Sequence, residues 1–189
     1  MLAVTGLYDD VNLFVDDEGN WADHRYIPGY VRRYPFGLAA ETNGERMAIV
    51  IDRAFEGLGS AGDRPLFNNG EPTAQTQAAI EFCKAYERDR QITDQFVQAL
   101  IKEDLIQSQT AQYTPTNSTE PVAFAQYFGI AEPQVTSLDK DKLAEFHRNG
   151  MLILIYAMLM SMSNWRVLLQ RRAKRFNLTE ETMFKPAVN

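Results

Sequence analysis

Cysteine is almost absent from this chain. Cys83 is the only one in 189 residues, so no intrachain disulfide can form. A reducing compartment is the simplest setting for such a chain, and a cytoplasmic location is expected. Histidine is nearly as scarce: His24 and His147 lie far apart with no Cys/His spacing around them, and no metal site is expected. There is no basic surplus either. The chain has 19 Lys and Arg against 25 Asp and Glu, a formal net charge of -6. Nucleic-acid binding needs a basic field to neutralise phosphates, so no nucleic-acid partner is expected. Long hydrophobic runs are missing too. The longest, residues 151–160, falls short of the roughly 20 apolar residues that span a bilayer. Widening it brings in Asn164 and Arg166, so a buried core helix is expected rather than a transmembrane span. Met1-Leu2-Ala3-Val4 offers no basic n-region, apolar h-region or cleavage site, so no signal peptide is expected.

The apolar fraction of 45% is enough for a globular core. The first third reads as sheet. Residues 2–7 and 11–15 are short strand-like runs around Asp9-Asp10, and a second turn runs from Asp16 to Asn20. Residues 36–40 and 46–51 flank Asn43-Gly44, the strongest hairpin signal in the chain. The middle reads as helix, with Thr73 as N-cap after Pro72 and Thr93 as a second cap. Residues 105–113 and 122–130 are strand candidates around a polar turn. Asp139 or Asp141 starts a short helix, Asn149-Gly150 is a candidate break, and residues 151–176 read as one long helix. The order predicts a single α+β domain over residues 1–189, with an antiparallel sheet in the N-terminal third packed against helices and a long buried C-terminal helix.

Several motifs dissolve on inspection. Gly57-Leu58-Gly59-Ser60-Ala61-Gly62 matches a dinucleotide fingerprint, but no helix opens after it to face a pyrophosphate. Ser60 lacks the spacing of a nucleophile elbow. Asp16, Asp17, Glu18 and Asp23 crowd one turn, yet counting back from Gly19 puts Phe14 where the first calcium ligand belongs. Cys83 lies on or beside an apolar helix face and reads as a core residue. No cofactor is implied.

Two clusters remain. Tyr26, Tyr30, Arg32, Arg33 and Tyr34 fall within nine residues. Such a set can grip a carboxylate, a phosphate or a flat ring. Alternatively its tyrosines pack on the sheet while its arginines pair with acids such as Asp52 or Glu56. Arg166, Arg171, Arg172, Lys174 and Arg175 end the long helix. They either complement the negative end of its dipole or dock to an acidic partner or anionic lipid.

Three stretches together resemble a known bacterial family. The first holds Gly6-Leu7-Tyr8, Asn12 to Asp16 and Gly19-Asn20-Trp21. The second runs from Tyr26 to Phe36, with Ile51-Asp52, Pro65-Leu66-Phe67 and Gly70. The third lies between Leu143 and Leu168, including His147 to Leu152, Ile155-Tyr156-Ala157 and Ser161. In this order they resemble the SapC family, and Tyr30-Val31-Arg32-Arg33-Tyr34-Pro35-Phe36 is the most specific part. Family members carry more sequence before the first stretch, and often histidine where this chain has Met158. The resemblance implies a surface-layer association, since the family takes its name from such a locus. It brings no catalytic residues. The peptide-transport permease of the same name is a different protein, with several membrane spans.

The reading that follows is a non-enzymatic accessory or binding protein of a bacterial surface-layer or uptake system. Its partner, a protein or a small molecule, would meet Tyr26, Tyr30, Arg32, Arg33 and Tyr34. The competing expectation is an enzyme for a small anionic or aromatic substrate, with its site near Arg33, Tyr34 and Asp52.

Overall fold

The computed structural model describes residues 1–8, 11–40, 47–59 and 63–185. Turns expected at Asp9-Asp10 and Asn43-Gly44, and the segment Ser60-Ala61-Gly62, lie outside the described residues. The order is α1 (Gly29–Arg32), β1 (Phe36–Ala40), β2 (Met47–Ile51), β3 (Phe67–Asn68), β4 (Glu71–Pro72), α2 (Ala74–Lys102), β5 (Ile106–Tyr113) and β6 (Val122–Ile130). Then come α3 (Glu132–Thr136), α4 (Lys140–Arg148), α5 (Met151–Ser161), a 3-10 turn (Met162–Asn164) and α6 (Trp165–Phe176). The fold is α+β. The chain divides into two compact units, one of Met1–Arg25 with Phe96–Asn189, the other of Tyr26–Gln95.

Among the described residues the strands form three separate two-stranded antiparallel sheets rather than one N-terminal sheet: β1 with β2, β3 with β4, and β5 with β6. Phe36 pairs with Ile51 and Ala40 with Met47, so the hairpin expected across residues 36–51 forms. The second expected hairpin is the longest, running from Ile106↔Ile130 to Tyr113↔Val122. Residues 2–7 and 11–15 do not form the strands expected of them. Apart from a lone bridge between Val15 and Trp21, their described backbone is irregular. Backbone carbonyls without a strand partner need other donors, and α6 supplies them. Arg172 donates to the carbonyls of Leu7, Met183 and Lys185 at 3.3, 2.8 and 2.6 Å. Arg171 donates to Leu13 O at 3.2 Å, and Arg175 to Val15 O and the Asp17 carboxylate. Three arginines of the basic cluster therefore clamp the N-terminal segment, Arg172 buried, Arg171 half-buried and Arg175 at the surface, and Arg166 and Lys174 are exposed.

In the first unit this clamp closes over a core of Leu7, Leu13, Ala111, Phe124, Leu168, Leu169 and Met183. A second core joins Phe96, Leu100, Leu105, Ile130, Val135, Phe146 and Ile155. Each such side chain contributes about 1.5–3 kcal/mol when fully buried. α2 ends there in a Schellman closure. Leu105 N donates to Leu100 O at 2.9 Å and Asp104 N to Ile101 O at 3.1 Å, with Asp104 left-handed at φ 53°. Asp139 caps α4 by accepting from Lys142 N at 2.8 Å. Gly150, left-handed at φ 76°, separates α4 from α5.

Two helix expectations need correction. Thr73 begins α2 as predicted, accepting from Thr76 N at 3.4 Å. Thr93, however, starts nothing: its hydroxyl donates to Asp89 O at 2.8 Å inside an unbroken helix. The polar stretch there is carried by Arg90, which bridges Glu87 and Asp94, each at 2.7 Å. The C-terminal run is helical with a 3-10 turn, but it is not buried on several sides. Ile155 is fully buried and Met151, Leu152, Met158 and Leu159 pack beside it, while Ile153 is 72% and Met160 76% exposed. The core touches one seam, so the opposite apolar face stays uncovered. By length and composition Met151–Phe176 is long and apolar enough to cross a membrane, and 17% of its most apolar window is buried.

Candidate functional site

The aromatic and arginine segment belongs to the second unit. Pro28 and Pro35 leave room in this stretch only for a short helix or an extended link, and in the extended form Arg32 and Arg33 would face opposite ways. The short helix forms: Pro28 leads into α1, with Arg33 N donating to Gly29 O at 3.1 Å. Helical spacing lets both arginines reach the same long helix. The lack of a side chain at Gly29 brings the backbone close to it, because a Cβ there would lie 3.3 Å from the Tyr86 ring.

Phe82 and Tyr86 stand one turn apart on α2, and each closes an arginine sandwich. The Arg32 guanidinium lies 4.9 Å from the Tyr26 ring centre and 5.1 Å from that of Phe82. Arg33 lies 4.7 Å from Tyr30 and 4.8 Å from Tyr86. Cations over aromatic faces gain from the ring quadrupole, about 0.5–1 kcal/mol each where exposed. Neither arginine pairs with Asp52 or Glu56, as had been one expectation.

The two sandwiches differ at their edges. Arg32 spends its hydrogen bonds internally, from Nε to Ile27 O at 3.0 Å and from Nη2 to Tyr26 Oη at 2.7 Å. No described residue accepts a hydrogen bond from the Arg33 guanidinium. Glu87 feels its charge, but the Glu87 carboxylate is bonded to Arg90 at 2.9 and 2.7 Å and to Gln91 at 3.2 Å. Those bonds, Arg90 first, hold Glu87 at a pKa of about 2. Arg33 is thus a guanidinium fixed by its two faces, with its N–H edge uncommitted among the described residues.

That arginine lines an open hollow of about 450 Å³, with Tyr30, Val31, Tyr34, Pro35, Phe36, Gly37 and the β2 end from Val50 to Asp52. The floor is mostly apolar. The Tyr34–Pro35 peptide bond is cis, and the Tyr34 ring meets Phe55 edge-on at 5.5 Å. Asp52 stands at the end of β2, where its Oδ1 accepts from Ala54 N at 2.9 Å. Desolvation first, then the nearby Asp52 carboxylate, push the Tyr34 hydroxyl above its ordinary pKa. Tyr34 is therefore a hydrogen-bond donor at neutral pH rather than a base.

The structure thus brings Tyr30, Arg33, Tyr34 and Asp52 to one hollow, whereas Tyr26 and Arg32 form the neighbouring sandwich. Phe82 and Tyr86 are stacking partners that sequence reasoning missed. Their four-residue spacing, matched to Arg32 and Arg33, is the signal that was available. Cys83 lies between them and is buried; burial raises its thiol pKa, against a smaller opposing pull from Arg33. Asp16 is occupied with its own loop, accepting from Asn20 N at 2.7 Å and Glu18 N at 3.1 Å. Among the described residues no group of three or more His, Cys, Asp or Glu is placed to hold a metal ion.

Fold and site define an α+β protein with a preformed arginine–aromatic hollow on one unit. The chain belongs to the SapC family, whose model matches residues 1–168. No curated protein and no solved structure matches it.

Proposed function

We propose that this protein is a non-enzymatic accessory or binding protein of a bacterial surface-layer or uptake system, and that it recognises its partner through the hollow around Tyr30, Arg33 and Tyr34. The observation that carries the reading is the fixed Arg33 guanidinium. Two tyrosine rings hold its faces at 4.7 and 4.8 Å, and no described residue uses its N–H edge. A guanidinium immobilised before binding loses little entropy when an anion arrives. The family name is what ties the reading to surface-layer biology.

Deletion of the gene in the source bacterium, with complementation, tests this. Wild-type protein restores surface-layer retention or nutrient uptake, and Arg33→Ala, expressed to the same level, fails to. Full complementation by Arg33→Ala overturns the reading. Turnover of a small aryl anion by the purified protein, abolished in Asp52→Asn, would replace it with an enzyme acting through Arg33, Tyr34 and Asp52.

A further inference from the structure

The hollow carries two opposite charges that do not neutralise each other. Arg33 and Asp52 both line it, yet they form no ion pair. The Asp52 carboxylate keeps acceptor capacity beyond its bond to Ala54 N. The same hollow is lined by Pro35, Phe36, Val50 and Ile51, whose side chains are apolar. A ligand with one negative charge would satisfy Arg33 and be repelled by Asp52. A ligand with one positive charge would meet the reverse. The complement of the whole surface is a molecule with both charges and an apolar body.

We propose that the hollow binds a small zwitterion with an apolar side chain, the chemistry shared by a free hydrophobic amino acid and a short hydrophobic peptide. Its carboxylate takes the open edge of Arg33 as a two-pronged hydrogen-bonded pair. Its ammonium group meets Asp52, and its side chain covers Phe36 and Val50. The hollow, about 450 Å³, has room for a residue of phenylalanine size. This rests on the binding reading above and gives it a ligand class.

The test is an NMR titration of the full chain with four probes: L-phenylalanine, glycyl-L-phenylalanine, phenylacetate and phenethylamine. One or both zwitterions are expected to shift amide signals of residues 30–37 and 50–52 and to bind at least about tenfold tighter than either single-charge probe, the size of one charged hydrogen bond. The dipeptide binding alone assigns a peptide; phenylalanine alone assigns a free amino acid. Arg33→Gln is expected to weaken zwitterion binding at least about tenfold, with Arg33→Lys between it and wild type. Asp52→Asn, which keeps the acceptor for Ala54 N, is expected to erase the advantage over phenylacetate. Phenylacetate binding as tightly as the zwitterions overturns the ligand class while leaving Arg33 as a binding group. No response to any of the four overturns it as well, and the cellular test of Arg33→Ala then judges the binding reading separately.

Discussion

The two units of this chain are built by different means. The first holds nearly all of the fully buried large side chains, in two clusters, with a buried arginine tying irregular segments to a helix. In the second, Thr76 and Cys83 are the buried residues among those described, and of the two only Cys83 is fully so. Tyr26, Tyr30, Tyr34, Val50 and Phe67 stay exposed there. Arginine–aromatic stacking does for the second unit part of what hydrophobic burial does for the first. A tightly packed region resists change everywhere. A lightly packed one leaves polar edges and apolar faces available, which is where recognition can reside.

The contrast predicts an ordered series of effects. Arg172→Met should cost most, about 3–5 kcal/mol by urea melting, because it strips a buried charge from the carbonyls it satisfies. Ile155→Ala should cost about 2–5 kcal/mol, while Ile153→Ala on the uncovered face of α5 stays within about 0.5 kcal/mol. Equal losses at positions 153 and 155 would mean that α5 is packed on both sides. Arg32→Ala should cost about 1–2 kcal/mol, for two hydrogen bonds and two ring contacts at a partly solvated site.

Glu87 gives the smallest effect, with a pH signature. Its folded pKa of about 2 lies below the ordinary 4.5. The carboxylate therefore adds stability that is fully present above 4.5 and is lost as pH falls toward 2. Arg90 is half exposed, so screening keeps the contribution small. Urea midpoints measured from pH 6 to pH 2 should fall less steeply in Glu87→Gln than in wild type. Identical slopes would show that the bond to Arg90 contributes nothing.

Much of the chain was legible because its signals are local. Asn149-Gly150 before an apolar run, Asp139 before a short helix, and two alternating runs around residues 115–118 each translate directly into structure. The N-terminal strands were misread because alternation at residues 2–7 and 11–15 says nothing about a pairing partner, and the partners turned out to be arginine side chains more than 150 residues away. Burial of α5 was overestimated for a related reason. Composition shows that a helix is apolar all round, but not how many neighbours it has. At the candidate site, the cluster from Tyr26 to Tyr34 could be read from residue types alone. That Arg32 commits its hydrogen bonds to Ile27 and Tyr26 while Arg33 keeps an open edge depends on α1 being helical, and on Phe82 and Tyr86 being one turn apart on α2.

The most direct test sets these neighbouring arginines against each other. Arg32→Ala and Arg33→Ala are each measured for urea stability and for binding of the zwitterion probe that wild type prefers. The predicted result is that Arg32→Ala loses stability but binds once folded, whereas Arg33→Ala loses binding with the smaller loss of stability. Equal destabilisation by both, with normal binding by the folded protein that remains, would contradict it and leave both sandwiches as architecture.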